Sequence, residues 1–402
     1  MREKHRKPVI VAFLGAMLLL HLIVAWNSKD LIRKGYPDFS TFYAAGLTIR
    51  EGLGPQMYDE ATQYRIEQQF SSGVTIRQGA LPYIHPPFEA LLFVPLSSLP
   101  YVWAYVVWDF LSLLVLGLVL YLLRPKIPLL QRASIGFWLL AASALFPIFV
   151  GFLQGQDSIL VLLMFVMAYL SLRKNADFQA GCWLGLGLFR FHLVLPLIFV
   201  LLWQKRTRAI AGISLAAVFL GLLSAAVTGW RGALAYPSHV WHLEEVMGVH
   251  GTVIPLQLPN VRGLLTFFIP GLAKMASDGI VLVLSLALLI FTTLKWRISK
   301  ASTFDLGFSL CIIVTVLISY HTMPYDLALL ILPLALVGNH CLETKGMSGK
   351  TALLAPIALL FVTPLQMYLS FRVGRYCLLA LVLVWWCYAV ARELGRASAT
   401  AE

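Results

Sequence analysis

Long apolar runs separated by short polar segments dominate the chain. Ten of them approach the length of a membrane-crossing helix, which needs about 20 predominantly apolar residues. They lie near residues 8–26, 100–123, 133–150, 157–172, 208–228, 278–294, 304–320, 322–338, 351–368 and 376–391. This pattern predicts an all-α polytopic integral membrane protein with about ten full transmembrane helices.

A further apolar stretch, residues 180–203, does not fit a single crossing. Basic residues precede it at 173–174 and follow it in QKRTR at 204–208. Cytoplasmic loops are enriched in Lys and Arg, so one crossing would place one basic cluster on the wrong side. We therefore expect a broken or re-entrant helical hairpin over residues 176–204, turning near Arg190 and His192.

The distribution of basic residues then orients the chain. With the hairpin, 19 of the 31 Lys and Arg fall in segments on the cytoplasmic side, together with the N-terminus, and 11 on the other side. Two long polar stretches, 27–99 and 229–277, become extracytoplasmic loops of a single domain over 1–402. In the first loop, residues 59–70 predict an interfacial helix whose Glu67 faces water.

Composition excludes several classes of protein. Hydrophobic residues make up 59% of the chain and charged residues 12%, too few charges to cover a soluble domain. Mean hydropathy is +0.80. The net charge of +12 is explained by cytoplasmic loops, so no nucleic-acid partner is expected. Five cysteines without a CxxC pair predict no disulfides.

Asp38 is the first residue with an evident chemical role. It lies about a dozen residues beyond the first apolar run, at the expected outer interface, where a carboxylate can stay ionised and accept a proton. Its alternative role is to cap a helix beginning at Phe39.

Several polar motifs follow Asp38 in a characteristic order. They are PDFSTFYAAG, YIHPPFEALLFVPLSSLP, GQDS, GLGLFRFHLVLP and SYHTMPYDLALLILP, spread from Asp38 to Pro333. Taken together, they resemble glycosyltransferase family 87 (DUF2029), of the GT-C class, whose members resemble polyprenyl-phosphate-mannose-dependent mannosyltransferases.

The resemblance implies an inverting transfer of mannose or a similar sugar. The donor would be a sugar linked to polyprenyl phosphate, a membrane lipid, and the acceptor a hydroxyl of a glycolipid or polysaccharide. Transfer would occur without a cofactor, on the extracytoplasmic face of the membrane, which the resemblance implies is a bacterial plasma membrane. Asp38 matches the first-loop aspartate that acts as the base.

Cationic groups are needed to stabilise the departing lipid phosphate. The candidates are Arg190, His192, His321 and Arg262. The family usually has Lys near the position of Arg190, and Arg keeps that charge with a bidentate fork. The alternatives for Arg190 are snorkelling to an interface or pairing with Asp157, and His321 is otherwise a packing residue.

Other polar or aromatic residues are candidates for sugar or acceptor binding: Tyr43, His85, Glu89, Gln156, Asp157, Trp241 and Asp326. Gln156 and Asp157 alternatively cap the helix that begins at Ser158. His85 stands in HPP where the family has YPP, and the paired prolines favour an extended structural segment there.

A metal site is not expected. The second loop contains His239, His242, Glu244, Glu245 and His250, but their spacing does not match the zincin motif HExxH. Two other functions stay open: a transporter or flippase of lipid-linked sugars, in which Arg190 binds phosphate, and a structural membrane protein. Transporters tend to have paired broken segments, whereas only one break is evident here.

Overall fold

The computed structural model describes residues 2–71, 81–249, 254–298, 300–344 and 349–399. These residues form an all-helical bundle, and no strand occurs among them. The helices of the first half are α1 Arg2–Asn27, α2 Lys29–Arg33, α3 Phe39–Arg50, α4 Glu60–Glu67, α5 Pro87–Ala90, α6 Tyr101–Leu123, α7 Pro128–Gln131, α8 Ile135–Ser143, α9 Phe146–Gln154 and α10 Ser158–Arg173.

The second half has the same character. Its helices are α11 Asp177–Leu186, α12 Phe191–Trp203, α13 Thr207–Val249, α14 Val261–Phe268, α15 Lys274–Lys295, α16 Phe304–Ile318, α17 Ile331–Glu343, α18 Lys350–Leu360, α19 Thr363–Met367 and α20 Leu379–Ala399. Short 3-10 turns at Gly187–Arg190 and Pro324–Leu330 lead directly into α12 and α17. Gly229, with φ 75°, kinks α13 where the predicted span ends.

The predicted membrane protein is confirmed. Eight helical segments in the described part of the chain are long and apolar enough to cross a membrane, or up to ten if each of two bent pairs is one span. All ten predicted runs are helical, although the helical segment of one of them, α10 with 16 residues, is too short to count among the eight spans.

Two of the predicted helices are bent. The run 133–150 divides into α8 and α9 at an angle of 76°, and the run 351–368 divides at 61°. Pro147 and Pro364 lie in the first turn of the second helix of each pair. A proline there lacks the N–H that would continue the preceding helix, and it disfavours helical backbone just before it.

The segment from Asp177 to Trp203 turns back on itself, as predicted. Its length would allow one crossing, but an Arg206 Nη1 to Asp177 Oδ2 ion pair of 3.1 Å joins residues 29 apart in sequence. A straight helix would separate them by about 43 Å at 1.5 Å per residue. We call α11 and α12, with the turn at Gly187–Arg190, the turned-back pair.

Close backbone packing holds the turned-back pair against α13. A Cβ on Gly181 would overlap the carbonyl oxygen of Ala209, and one on Gly212 would overlap that of Phe178. These glycines therefore let α11 and α13 approach more closely than side chains allow. The beginnings of both helices consequently lie at the same end of the bundle.

Polar contacts define that end, here called the basic end. Arg173 at the end of α10 pairs with Asp305 of α16 at 3.0 Å. Gln204 donates to the carbonyl of Trp296 at 2.7 Å, joining the end of α12 to the end of α15. The tip of the turned-back pair, at Arg190, lies at the other end.

The first polar stretch folds into its own aromatic core. Phe39, Phe42, Phe93 and Tyr101 pack there together with Ile66. The expectation that Glu67 faces water is wrong: its side chain is buried, and Oε2 accepts a hydrogen bond of 3.2 Å from the Leu81 N–H. The backbone at Leu81 covers the face of α4 that carries Glu67. A helix lying alone at the membrane interface would leave that face in water.

Candidate active site

Asp38 is held from both its backbone and its side chain. Its N–H donates to Gln154 Oε1 at 3.0 Å, and its Oδ2 accepts from Gln156 Nε2 at 2.7 Å. Asp38 precedes α3, as the capping alternative requires, but its side chain makes no capping hydrogen bond. The half-buried carboxylate is therefore oriented by Gln156 and not used to cap the helix.

Gly155 explains how two glutamines reach one aspartate. It ends α9 in the left-handed conformation with φ 61°. A Cβ at this position would lie 2.6 Å from Cβ of Phe39, the neighbour of Asp38. Only glycine combines this backbone conformation with this approach, so the sequence QGQ brings Gln154 and Gln156 to either side of Asp38.

Arg190, at the tip of the turned-back pair, is 5% exposed and surrounded by polar groups. Its Nε donates to Asp157 Oδ1 at 2.7 Å, and its Nη2 donates to Gln156 Oε1. The ion pair between Arg190 and Asp157, which the sequence offered as an alternative role for Arg190, is therefore present. Gln156 links Asp38 to Arg190 through the two ends of one side-chain amide.

Asp326 supports Arg190 from a second side. Its Oδ1 lies 3.7 Å from Arg190 Nη1, and its Oδ2 lies 3.9 Å from His192 Nε2. The same carboxylate accepts from the Met323 N–H at 2.8 Å, which fixes it at the start of the 3-10 turn. The Tyr325 ring lies 5.3 Å from the Arg190 guanidinium carbon.

His85 and Glu89 approach the same network from the first polar stretch. His85 Nδ1 is 2.9 Å from Glu89 Oε2. Burial, aided by the charge of Arg190, lowers the pKa of His85 to about 3, so its imidazole is neutral. Burial and then Asp157 raise the pKa of Glu89. Burial opposes ionisation of Asp157, but the charge of Arg190 holds its pKa below the usual range.

The second polar stretch returns Arg262 to this end, where it lies beside His321 of the loop after α16. Asn260 accepts from the Gly263 N–H at 2.9 Å, beginning α14, and donates to the Ser319 carbonyl at 2.8 Å. The Arg262 guanidinium carbon lies 3.9 Å from the centre of the Tyr320 ring, beside half-buried His321. Ser319 in turn donates to the His192 carbonyl at 3.1 Å.

Two candidates lie outside this network. Tyr43 is buried among aromatic rings, and its hydroxyl donates to the Leu99 carbonyl at 2.8 Å. Trp241 is 73% exposed on α13, five residues beyond Tyr236, which donates to the Ile84 carbonyl.

In the second-loop histidine cluster, His239 packs on Tyr58 and His242 is exposed. The side chains of Glu244 and Glu245, and His250, lie outside the described residues.

Comparison with known proteins identifies the family. Residues 83–319 match glycosyltransferase family 87, more than half of the chain. The protein belongs to this family. No curated protein and no solved structure matches the chain. As a family 87 member with several candidate membrane spans, it is an integral membrane glycosyltransferase.

The family 87 match covers much of the network but not all of it. His85, Glu89, Gln156, Asp157, Arg190, His192 and Arg262 lie within the matched residues, whereas Asp38, His321 and Asp326 lie outside them. Contacts of Asp38 with Gln156, and of Asp326 with Arg190, join the two sets in space.

Sequence reasoning missed two residues of this network. Gln154 binds the Asp38 backbone, and Tyr325 packs against Arg190. Gln154 had an available signal, because QGQ places two amides around a glycine, directly before the candidate Asp157. Tyr325 had none, since an aromatic residue near a helix start is common in membrane proteins.

A cavity of about 590 Å³ lies beside this network, between α1, α6, α8 and α9. Its lining is mainly Leu and Phe, with His21, Tyr105, Asp109 and Ser143 as the residues that carry polar groups. Tyr105, which also lines it, donates to the Phe152 carbonyl at 2.8 Å, two residues before Gln154. The cavity therefore reaches the segment that holds Asp38.

Proposed function

We propose that this glycosyltransferase transfers a sugar from polyprenyl phosphate to a hydroxyl of a glycolipid or polysaccharide, with Asp38 as general base. The observation that carries the proposal is the hydrogen-bonded chain from Asp38 through Gln156 to Arg190. An acid and a cation on distant parts of the sequence thus share one site.

The proposed chemistry needs a base and an anion-stabilising group. Asp38 takes the proton of the acceptor hydroxyl, whose oxygen attacks the anomeric carbon and forms the new glycosidic bond. The bond from that carbon to the phosphate oxygen breaks, and its electron pair leaves with the lipid phosphate. Attack opposite the leaving group inverts the anomeric configuration.

The cations divide this work by their exposure. Arg190 is buried and bound to Asp157, so it supplies positive charge without direct contact with the phosphate. It also orients Gln156 by a hydrogen bond. We assign direct phosphate contact to Arg262, in the first turn of α14, and to His321, in the loop after α16, because both are only half-buried. Hydrogen bonds and charge directed at the departing phosphate lower the barrier to transfer.

The buried candidates for sugar or acceptor binding act as supports in this proposal. Gln156, Asp157, Asp326, His85 and Glu89 position Asp38 and Arg190. Trp241, exposed near the same end, is the candidate for stacking against a sugar ring. Tyr43 stabilises the aromatic core from which α3 presents Asp38.

A lipid-linked donor suits the surroundings of the site. The cavity between α1, α6, α8 and α9 is lined mainly by apolar side chains of helices that can cross a membrane, so it suits an isoprenoid chain. The excess of basic residues at the opposite end favours a cytoplasmic position for that end and an extracytoplasmic position for the site. The proposed membrane, a bacterial plasma membrane, follows from the family resemblance.

Membership of a glycosyltransferase family weighs against the transporter alternative. That alternative used the same Arg190 and the same turned-back pair, but it assigned no task to Asp38. The geometry around Asp38, with both amide contacts directed at one residue, favours transfer.

The decisive experiment is Asp38→Asn in the purified full-length protein, supplied with a radiolabelled polyprenyl-phosphate sugar and lipid extract as acceptor. Asn keeps the size of the side chain but cannot take the proton, so turnover should fall by about 10²–10⁴-fold. Donor binding and thermal stability should remain close to wild type. Unchanged turnover would remove Asp38 from the mechanism, and transfer from a nucleotide sugar alone would overturn the donor assignment.

A further inference from the structure

We propose that His85, Glu89 and Asp157 bind one divalent cation. The three side chains come from the segment before α5, from α5 and from the residue before α10. One ligand atom of each lies within 4.8 Å of those of the other two. This site goes beyond the proposed sugar transfer, which needs no metal.

The first support is the number of buried oxygen atoms without a hydrogen bond. Glu89 and Asp157 are each 1% exposed. Both carboxylate oxygens of Glu89, and Oδ2 of Asp157, lack a hydrogen-bond partner. A buried carboxylate left in this way is costly, so a bound group that satisfies these oxygens would stabilise the fold.

The second support is the contact between His85 and Glu89. Nδ1 and Oε2 are 2.9 Å apart, yet the two atoms are not aligned as a hydrogen bond. Two such atoms, close together but not hydrogen-bonded to each other, fit a common third partner. Ligand atoms around one small cation have a similar spacing, because metal–ligand distances of about 2.0–2.2 Å place them about 3 Å apart.

The third support is charge. Arg190 is the one guanidinium that faces Glu89, Asp157 and Asp326 in the described part of the chain. Three buried carboxyl groups therefore surround one guanidinium. A divalent cation on the side of Asp157 opposite Arg190 would balance them.

The donor set indicates the kind of ion. One imidazole and two carboxylates, without a thiolate, suit Zn²⁺ or Mn²⁺. Such an ion would tie the first polar stretch to α10, next to Gln156. It would act by holding that segment in place, since Asp157 Oδ1 already accepts from Arg190. Asp38 itself would not be a ligand.

The sequence did not predict this site, because its ligands are distant in the chain. His85 and Glu89 are four residues apart, but Asp157 follows 68 residues later, and their juxtaposition depends on the fold. The histidine cluster of the second polar stretch, which drew attention in the sequence, is a different set of residues.

The test measures metal bound to the full-length protein in detergent. The protein is stripped with a chelator, titrated with Zn²⁺ or Mn²⁺, desalted and analysed by metal mass spectrometry. Wild type should retain about one equivalent, and Glu89→Gln should bind at least tenfold more weakly. Glu67→Gln, which changes another buried carboxylate of the same polar stretch, is the matched control and should bind as wild type does.

A second readout protects the test against a folding defect. Zn²⁺ should raise the unfolding temperature of wild type and Glu67→Gln, but not of Glu89→Gln or, if that variant fails to fold, of His85→Gln. Equal metal content in wild type and both ligand variants would overturn the proposal and leave a proton shared between Glu89 and Asp157. Asp38→Asn should keep the metal, so loss of sugar transfer and loss of metal binding are distinguishable.

Discussion

Gln156 donates a hydrogen bond of 2.7 Å from its side-chain amide to the carboxylate of Asp38. The oxygen of the same amide accepts from Arg190. Because an amide has both a donor and an acceptor, glutamine can join an acid to a cation, which no other side chain of this length does. The orientation of the proposed base therefore depends on a residue that takes no part in bond making.

Gln156→Glu should test this bridge. Glutamate has the same shape but cannot donate when ionised, and it places a second charge beside Asp38. Turnover should fall by about tenfold or more, in line with the loss of one charge-assisted hydrogen bond of about 1.5–3 kcal/mol. The measurement is turnover of radiolabelled donor at saturating concentration. Gln131→Glu, an exposed amide at the basic end, should behave as wild type, and equal turnover in both variants would contradict the bridge.

Arg190→Ala should lower stability more than it lowers donor affinity. It leaves Asp157 and Asp326 buried without their cation, a loss of about 3–5 kcal/mol. Arg190→Lys keeps the charge without the fork and should recover part of it. Thermal unfolding in detergent measures the effect, with Arg132→Ala, exposed at the basic end, as control. A wild-type unfolding temperature for Arg190→Ala would refute this role.

Gly212→Ala should separate α11 from α13. The added methyl group would overlap the Phe178 carbonyl, and overpacking of this kind costs about 1–3 kcal/mol. Gly221→Ala lies on the same helix with no atom within 4 Å, and it should leave stability unchanged or raise it by up to about 1 kcal/mol. Chemical unfolding of both variants gives the comparison. Similar changes in stability at the two positions would contradict the role of close packing at Gly212.

The turned-back pair predicts the accessibility of its two flanks. Single cysteines at Asn175 and Thr207, introduced after replacement of the five native cysteines, should react with an impermeant maleimide from the same side of the membrane. Both positions are exposed at the basic end. A cysteine at exposed Ser98 should react from the opposite side. Labelling of positions 175 and 207 from different sides would mean that the segment crosses once.

Glu67 predicts a pH dependence of stability. Burial, opposed by the hydrogen bond from the Leu81 N–H, raises its pKa from 4.5 to about 7. Between these values the folded protein holds a proton that the unfolded chain releases, so stability is greatest below pH 4.5 and falls as pH rises to 7. The pKa difference corresponds to about 3 kcal/mol.

Glu67→Gln should remove that dependence, since glutamine does not titrate. Relative to wild type, the variant should gain stability between pH 5 and pH 7.5, as measured by thermal unfolding. Exposed Glu60, on the same helix, provides the control Glu60→Gln. A wild-type pH profile in Glu67→Gln would show that other groups cause the dependence.

Much of the fold could be predicted because a membrane imposes its own pattern. Each helix must satisfy its backbone internally and present apolar side chains, which leaves long runs that are visible in the sequence. The turned-back pair was also predictable, since basic clusters on both flanks of residues 180–203 conflict with one crossing. The bends before Pro147 and Pro364 were missed because each proline lies within an apolar run of sufficient length.

The site was predictable in its members more than in their contacts. Asp38, Gln156, Arg190 and Asp326 stood out as polar residues at helix boundaries, and they do form one network. Their partners were harder to assign, because the Asp38 bridge and the Arg190 pair connect residues more than 30 positions apart. The roles of these residues in sugar transfer and phosphate binding stay predictions.

The turned-back pair leaves the direction of the chain unchanged. Its two flanks meet where Asp177 pairs with Arg206, so α13 begins at the same end at which α10 finishes. Any lengthening or shortening of this excursion would move the guanidinium of Arg190 up or down relative to Asp38, without inverting a single downstream helix. Insertions or deletions in α11 and α12 can therefore change the depth of Arg190 in the membrane. The orientation of every later helix stays the same.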